Sequence, residues 1–128
     1  MGSASVAKEF LVDAERAWSI IGDFAHPGTY ITDLLAIEMQ GDVRVLTLPG
    51  LQLRERLLER DDVHHRLVYS VIAGLPIEWH RGEINVRPTE TGSKVTWDFE
   101  VTPDEMVGPL TEVYSGALVA LKHYFNEE

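Results

Sequence analysis

The chain has 128 residues, 45% of them hydrophobic, and carries 21 acidic against 11 basic side chains for a net charge of -10. That length predicts a single domain over residues 1–128, too short for an enzyme with a separate nucleotide-binding half. The acidic balance excludes nucleic acid and anionic lipid surfaces as partners by simple repulsion, and cysteine is absent, which removes disulfides, thiolate metal sites and thiol nucleophiles. No apolar run approaches the roughly 20 residues that span a bilayer, and the opening MGSASVAKEF lacks a hydrophobic signal core. The expectation is a soluble, cytoplasmic protein with no membrane insertion, whose partner is neutral, cationic or apolar.

Met1–Ser3 are set aside from the fold reading. Ala4 to Val12 has the composition of a strand that stops at Asp13, an acceptable N-cap; Ala14, Ala17, Trp18 and Ile21 then follow at helical spacing. A first helix is predicted over Ala14 to Ile21, closed by Gly22. His26-Pro27-Gly28 turns the chain into a second short helix or irregular segment ending near Leu34. From Ala36 the period becomes two, and turn signals at Gly41-Asp42, Pro49-Gly50, Asp61-Asp62, residues 73–76 and residues 89–92 divide the chain to Val101 into strands. Thr102-Pro103-Asp104-Glu105 has the form of a capping box, interrupted by Gly108-Pro109. From Pro109 a long helix is predicted, with an apolar stripe of Leu110, Val113, Tyr114, Ala117, Leu121 and Tyr124 that must lie on the sheet.

Registering the hairpins raises a question. With Pro49-Gly50 at the first turn, Leu48 opposes Leu51, Leu46 opposes Leu53, and Arg44 opposes Glu55, all on the apolar face. Carried onward, the same counting sets Leu57 against Leu67, Glu55 against Tyr69 and Tyr69 against His80. The last hairpin pairs Val86 with Val95, Ile84 with Trp97, Gly82 with Phe99 and His80 with Val101. The other face, with Arg54, Arg56, Lys94, Asp98 and Glu100, is wet. Arg44, Glu55, Tyr69 and His80 therefore form an expected polar band on an apolar concave face, and a mostly apolar cavity with a few convergent polar groups is the usual form of a small-molecule site.

The stretches AERAWSIIGDF (14–24), VRVLTLPG (43–50), RERLLERDDVHHRLVYSV (54–71), LPIEW (75–79) and KVTWDFEV (94–101), taken in order, resemble the polyketide cyclase/dehydratase branch of the START and Bet v 1-like (SRPBCC) superfamily. The resemblance covers nearly the whole chain. It implies an α+β helix-grip fold: a seven-stranded curved antiparallel sheet wrapped around a long C-terminal helix, with two short helices after strand 1 and ligands bound in the intervening cavity. Members include aromatase/cyclases and carriers of lipids or other hydrophobic ligands. Where relatives carry a tryptophan and then a proline after helix 1, this chain has Tyr30-Ile31-Thr32, which implies a different cavity mouth. Its short, tight loops imply a small ligand.

Each candidate residue has a structural and a chemical reading. Arg44 and Glu55 are a buried structural pair, or Arg44 holds a substrate oxygen while Glu55 removes a proton. Tyr69 is a core tyrosine or a proton donor, and His80 a hydrogen-bonded core histidine or the acid or base. Tyr30, Trp79, Trp97, Phe99, Met106, Leu110, Tyr114 and Gly116 are the expected ligand-binding residues. Glu78 and His80 lack a third metal ligand, His64-His65 point to opposite sides of a strand end, and no phosphate-cradling glycine loop is present, so neither a metal nor a cofactor is expected. Four polar groups are more than a passive apolar pocket requires, so the expected function is a cyclase or dehydratase acting by acid/base chemistry on a small polyketide-like or carbonyl substrate, with a carrier or sensor of a hydrophobic ligand as the alternative. A homodimer is a further candidate assembly.

Overall fold

Alternation of apolar and polar side chains turns each strand into a one-sided ribbon, and seven such ribbons form one open sheet in the computed structural model, which describes residues 1–127. The strands are β1 (Gly2–Phe10), β2 (Ala36–Gln40), β3 (Val43–Leu48), β4 (Leu51–Asp61), β5 (Arg66–Ala73), β6 (Trp79–Pro88) and β7 (Ser93–Thr102). They lie in the order β1-β7-β6-β5-β4-β3-β2, and every neighbouring pair is antiparallel. Helix α1 (Ala14–Ile21) follows β1, and helix α2 (Val107–Tyr124) closes the chain. The core lies between these helices and the inner face of the sheet, where Ile84, Val95, Val101 and Leu121 are fully buried. This is the expected helix-grip architecture of an α+β fold.

Several local expectations are corrected. The first strand begins at Gly2, which pairs with Val101, and ends at Phe10 rather than Val12. Leu11 and Val12 leave the ladder because their N–H groups donate to the Glu127 carboxylate, at 2.7 and 3.3 Å. Of the two short helices only α1 is a true helix, capped by Asp13 accepting from the Arg16 N–H; Pro27–Thr29 is a single 3₁₀ turn. The capping box does not form: Asp104–Met106 make a 3₁₀ turn with no side-chain cap, and α2 runs through Gly108-Pro109. A proline in the first helical turn removes an N–H that has no intrahelical acceptor in any case. The buried stripe of α2 is Leu110, Tyr114, Ala117, Leu118 and Leu121, whereas Val113 and Tyr124 sit on its flank, 59% and 48% exposed.

The expected register holds on β3–β4 and on β6–β7, including Arg44 opposite Glu55 and His80 opposite Val101. It fails across β5. The β4–β5 turn pairs Asp61 with Arg66, and that register continued unbroken would put Leu57 opposite Ser70 and turn the tyrosine outward. A bulge between Leu57 and Glu59 absorbs one residue, so that Leu57 faces Tyr69 and Glu55 faces Val71. On the other side Tyr69 faces Gly82 rather than His80, and there the β5–β6 ladder ends. Both displacements are two residues from the expected pairing, which preserves the face. Tyr69 still looks inward.

Gly82 is where the sheet makes room for that ring, because a Cβ there would come within 2.6 Å of the Tyr69 ring. Gly116, in the middle of α2, is the opposite case: nothing lies within 4 Å of an added Cβ, so close packing does not explain it. Gly82→Ala is expected to cost about 1–3 kcal/mol through overpacking, while Gly116→Ala should gain about 1 kcal/mol of helix propensity. Urea denaturation of the two variants checks the contrast, and equal effects would contradict it.

Candidate functional site

Beneath α2 the curved sheet leaves a cavity of about 600 Å³, within the range that holds small organic molecules. Strands β3 and β4 supply Leu46, Leu48, Leu51 and Leu53 as one greasy wall, and α2 supplies Leu110, Tyr114, Gly116 and Ala117 as the opposite one. The polar groups Arg44, Glu55, Tyr69 and Tyr114 are deeply buried, while Asp33, Glu112 and Val113 are exposed and mark the mouth. Tyr30, Trp97, Leu110, Tyr114 and Gly116, all expected around a ligand, line this space.

Three expected ligand-binding residues lie elsewhere. Trp79 is the first residue of β6 and, next to the inward His80, faces outward at 42% exposure. Phe99 is buried beneath the Tyr114 ring, edge to face at 5.1 Å, so that tyrosine separates it from the cavity. Met106 packs on the core from the 3₁₀ turn before α2. The acidic mouth residues Asp33 and Glu112 escaped the sequence reading. Asp33 was within reach of it, one residue beyond the Tyr30-Ile31-Thr32 stretch that suggested an altered mouth.

Arg44 and Glu55 meet inside the protein, at 2% and 5% exposure. Arg44 Nε donates to Glu55 Oε1 at 2.8 Å, and Nη2 lies 2.7 Å from the same oxygen. Arg44 Nη1 donates to the Phe24 carbonyl at 3.1 Å and to the Tyr30 hydroxyl at 3.4 Å, and the guanidinium lies 4.1 Å over the Phe24 ring. Burial opposes the arginine charge, but the facing carboxylate and the Tyr30 hydroxyl outweigh it, and the pKa rises above its ordinary value. Among the described residues none donates a hydrogen bond to Glu55 Oε2, so this cavity-lining carboxylate keeps one oxygen unclaimed by protein.

His80 does not line the cavity. Where β5 and β6 part after Tyr69, its imidazole replaces a missing backbone acceptor: Val71 N–H donates to Nδ1 at 3.0 Å, and Ser70 Oγ donates to the His80 carbonyl at 2.5 Å. Nε2 lies 2.8 Å from the Tyr114 hydroxyl. Burial lowers the His80 pKa to about 4, so the ring is neutral at physiological pH. An amide N–H can only donate, which makes Nδ1 the acceptor and puts the single imidazole proton on Nε2, facing Tyr114. The Tyr69 oxygen likewise accepts from Trp97 Nε1–H at 3.1 Å. Burial pushes the Tyr69 and Tyr114 phenols up from their ordinary values, which keeps both protonated. Among the described residues no group of three or more metal-ligating side chains converges, and no helix is long and apolar enough to cross a membrane.

A family model described as polyketide cyclase/dehydrase and lipid transport matches residues 1–125. No curated protein matches the chain. Among solved structures, the protein XoxI from Bacillus cereus superposes with a TM-score of 0.91 at 25% identity, covering 98% of this chain and 96% of its own. A putative uncharacterized protein from Bacillus thuringiensis gives 0.89 at 26% identity, with 98% and 100% covered. A Thermobifida fusca protein solved by NMR gives 0.84 at 25%, with 100% and 96% covered.

Removing one member of the buried pair strands the other. Arg44→Met should therefore destabilise the protein by about 3–5 kcal/mol, and Arg44→Met combined with Glu55→Leu should recover most of that loss in urea denaturation. Acid should act through His80. The unfolded imidazole takes up a proton near 6.5 but the folded one only near 4, so the associated stability is present above pH 6.5 and lost as pH falls to about 4. That loss is roughly 3 kcal/mol, and the unfolding free energies at pH 7 and pH 4 should differ less for His80→Gln than for the unaltered protein.

Proposed function

The chain belongs to the polyketide cyclase/dehydrase and lipid transport family, and from the chemistry of its cavity we propose that it binds a small apolar molecule without altering it, as a carrier or sensor. The observation that carries this is the engagement of His80, which does not line the cavity and whose two ring nitrogens are both taken by protein partners, the Val71 N–H and the Tyr114 hydroxyl. A general base must reach the proton it removes and hold a pKa near the working pH. His80 satisfies neither condition, and Glu55 is tied to an arginine. Apart from the Arg44–Glu55 pair and Thr32, Asp33 and Glu112, the lining is aliphatic, aromatic or glycine, which suits an apolar guest. Asp33 and Glu112 at the mouth, on a chain of net charge -10, disfavour an anionic one.

One observation favours the enzymatic alternative, a cyclase or dehydratase acting on a small polyketide-like or carbonyl substrate. Glu55 Oε2 has no partner among the described residues and belongs to a residue lining the cavity, where it could receive a proton from carbon next to a carbonyl. In that case Tyr69 would supply the hydrogen bond to the developing enolate oxygen and Arg44 its compensating charge.

Native mass spectrometry of the purified protein is expected to find a retained small molecule that leaves chemically unchanged after prolonged incubation. In deuterated water the α-protons of an added aryl ketone should exchange no faster with the protein than without it. Acceleration that disappears in Glu55→Gln would replace the carrier with the enzyme.

A further inference from the structure

Hydrogen-bond direction in the buried band has a consequence for the ligand. The Tyr114 oxygen accepts the His80 Nε2 proton, since Val71 N–H already occupies Nδ1. The Tyr69 oxygen accepts from Trp97 Nε1–H, and an indole N–H can only donate. Each phenol has therefore received a hydrogen bond and still has its own proton to give. A contact between the two hydroxyls takes up at most one of these protons, so at least one is left for a ligand. No other protein acceptor for either proton is found among the described residues, and both tyrosines line the cavity. Aromatic packing holds the rings in place: Trp97 stacks on Tyr114 at 4.3 Å and meets Tyr69 at 6.3 Å in an edge-to-face arrangement.

We infer that the Tyr69 and Tyr114 hydroxyls form a paired donor site for the carbonyl oxygen of an otherwise apolar ligand, with Trp97 and His80 as positioning residues that set the direction of the two phenols. The inference rests on the proposal that the cavity takes a small apolar molecule and specifies which one: a neutral ketone, ester or lactone rather than a hydrocarbon or a carboxylate. A hydrocarbon leaves buried donors without an acceptor, which costs more than the hydrogen bond itself contributes. A carboxylate would meet Glu55 inside and two acidic side chains at the mouth. His80 acts through Tyr114. By donating to the phenol oxygen it prevents that hydroxyl from turning back to the strand and strengthens it as a donor.

The test uses the full chain with 2-acetylnaphthalene and 2-ethylnaphthalene, which differ mainly by the carbonyl oxygen. The ketone is expected to bind about tenfold more tightly than the hydrocarbon, with its carbonyl stretch shifted to lower frequency in the infrared spectrum. Tyr114→Phe and Tyr69→Phe should each reduce both the affinity ratio and the frequency shift. His80→Leu, which never touches the ligand, should reduce the frequency shift as well, an effect that a purely structural role would not produce. Nitrogen-15 NMR of the unaltered protein should find the His80 proton on Nε2, which keeps the inference testable if His80→Leu does not fold. Equal binding of the two probes, or a His80 proton on Nδ1, would overturn the paired donor site while leaving the apolar cavity intact. Failure of both probes to bind would remove the binding function and this inference with it.

Discussion

A buried ion pair costs desolvation on both sides, and it is tolerated only where geometry and further hydrogen bonds return that cost. Arg44 and Glu55 meet this condition by pairing across β3 and β4 while the remaining arginine donors reach Phe24 and Tyr30 in the segment after α1. The pair thereby ties the distal half of the sheet to the chain that covers it. It also leaves one carboxylate oxygen beside an apolar cavity, so the interaction that closes the core prepares part of the polar surface a guest would meet.

The other half of that surface depends on an interruption of the sheet. Where β5 and β6 cease to pair, the inner face opens, and the backbone N–H of Val71 would be left without an acceptor. His80 supplies one with its imidazole, and in doing so becomes a fixed donor to Tyr114. A structural repair of the ladder thus orients a hydroxyl that lines the cavity. Gly82, one step along β6 from this gap, gives the Tyr69 ring the space to lie flat against the sheet. Helix α2 is held over the assembly at its far end by Lys122 Nζ donating to the Glu9 carbonyl and by Glu127 accepting from Leu11 and Val12.

Hairpins with short loops were legible in the sequence because their two strands share one register and one buried face: Arg44 with Glu55 and His80 with Val101 follow from counting alone. Strand β5 was not, since a bulge at Leu58 and the early end of the β5–β6 ladder are set by tertiary fit rather than by any turn residue. Tyr69 and His80 nevertheless face inward as expected, because both displacements are even and side chains alternate with period two. What counting could not reach was the difference between facing inward and facing the cavity. His80 and Phe99 are inward and covered, whereas Tyr69 and Trp97 are inward and exposed to the cavity space. That distinction depends on what lies above each residue, and for Phe99 it is the ring of Tyr114 in another element.

The central claim is that the polar groups of the band are held in direction by protein partners, leaving at least one of the Tyr69 and Tyr114 protons and Glu55 Oε2 for a guest. Neutron diffraction from a deuterated crystal at pH 7 locates these protons directly. The account predicts a deuteron on His80 Nε2 and none on Nδ1, none on either Glu55 oxygen, and at least one phenolic deuteron directed into the cavity. A deuteron on His80 Nδ1, or a Tyr114 deuteron directed at the imidazole, would contradict it.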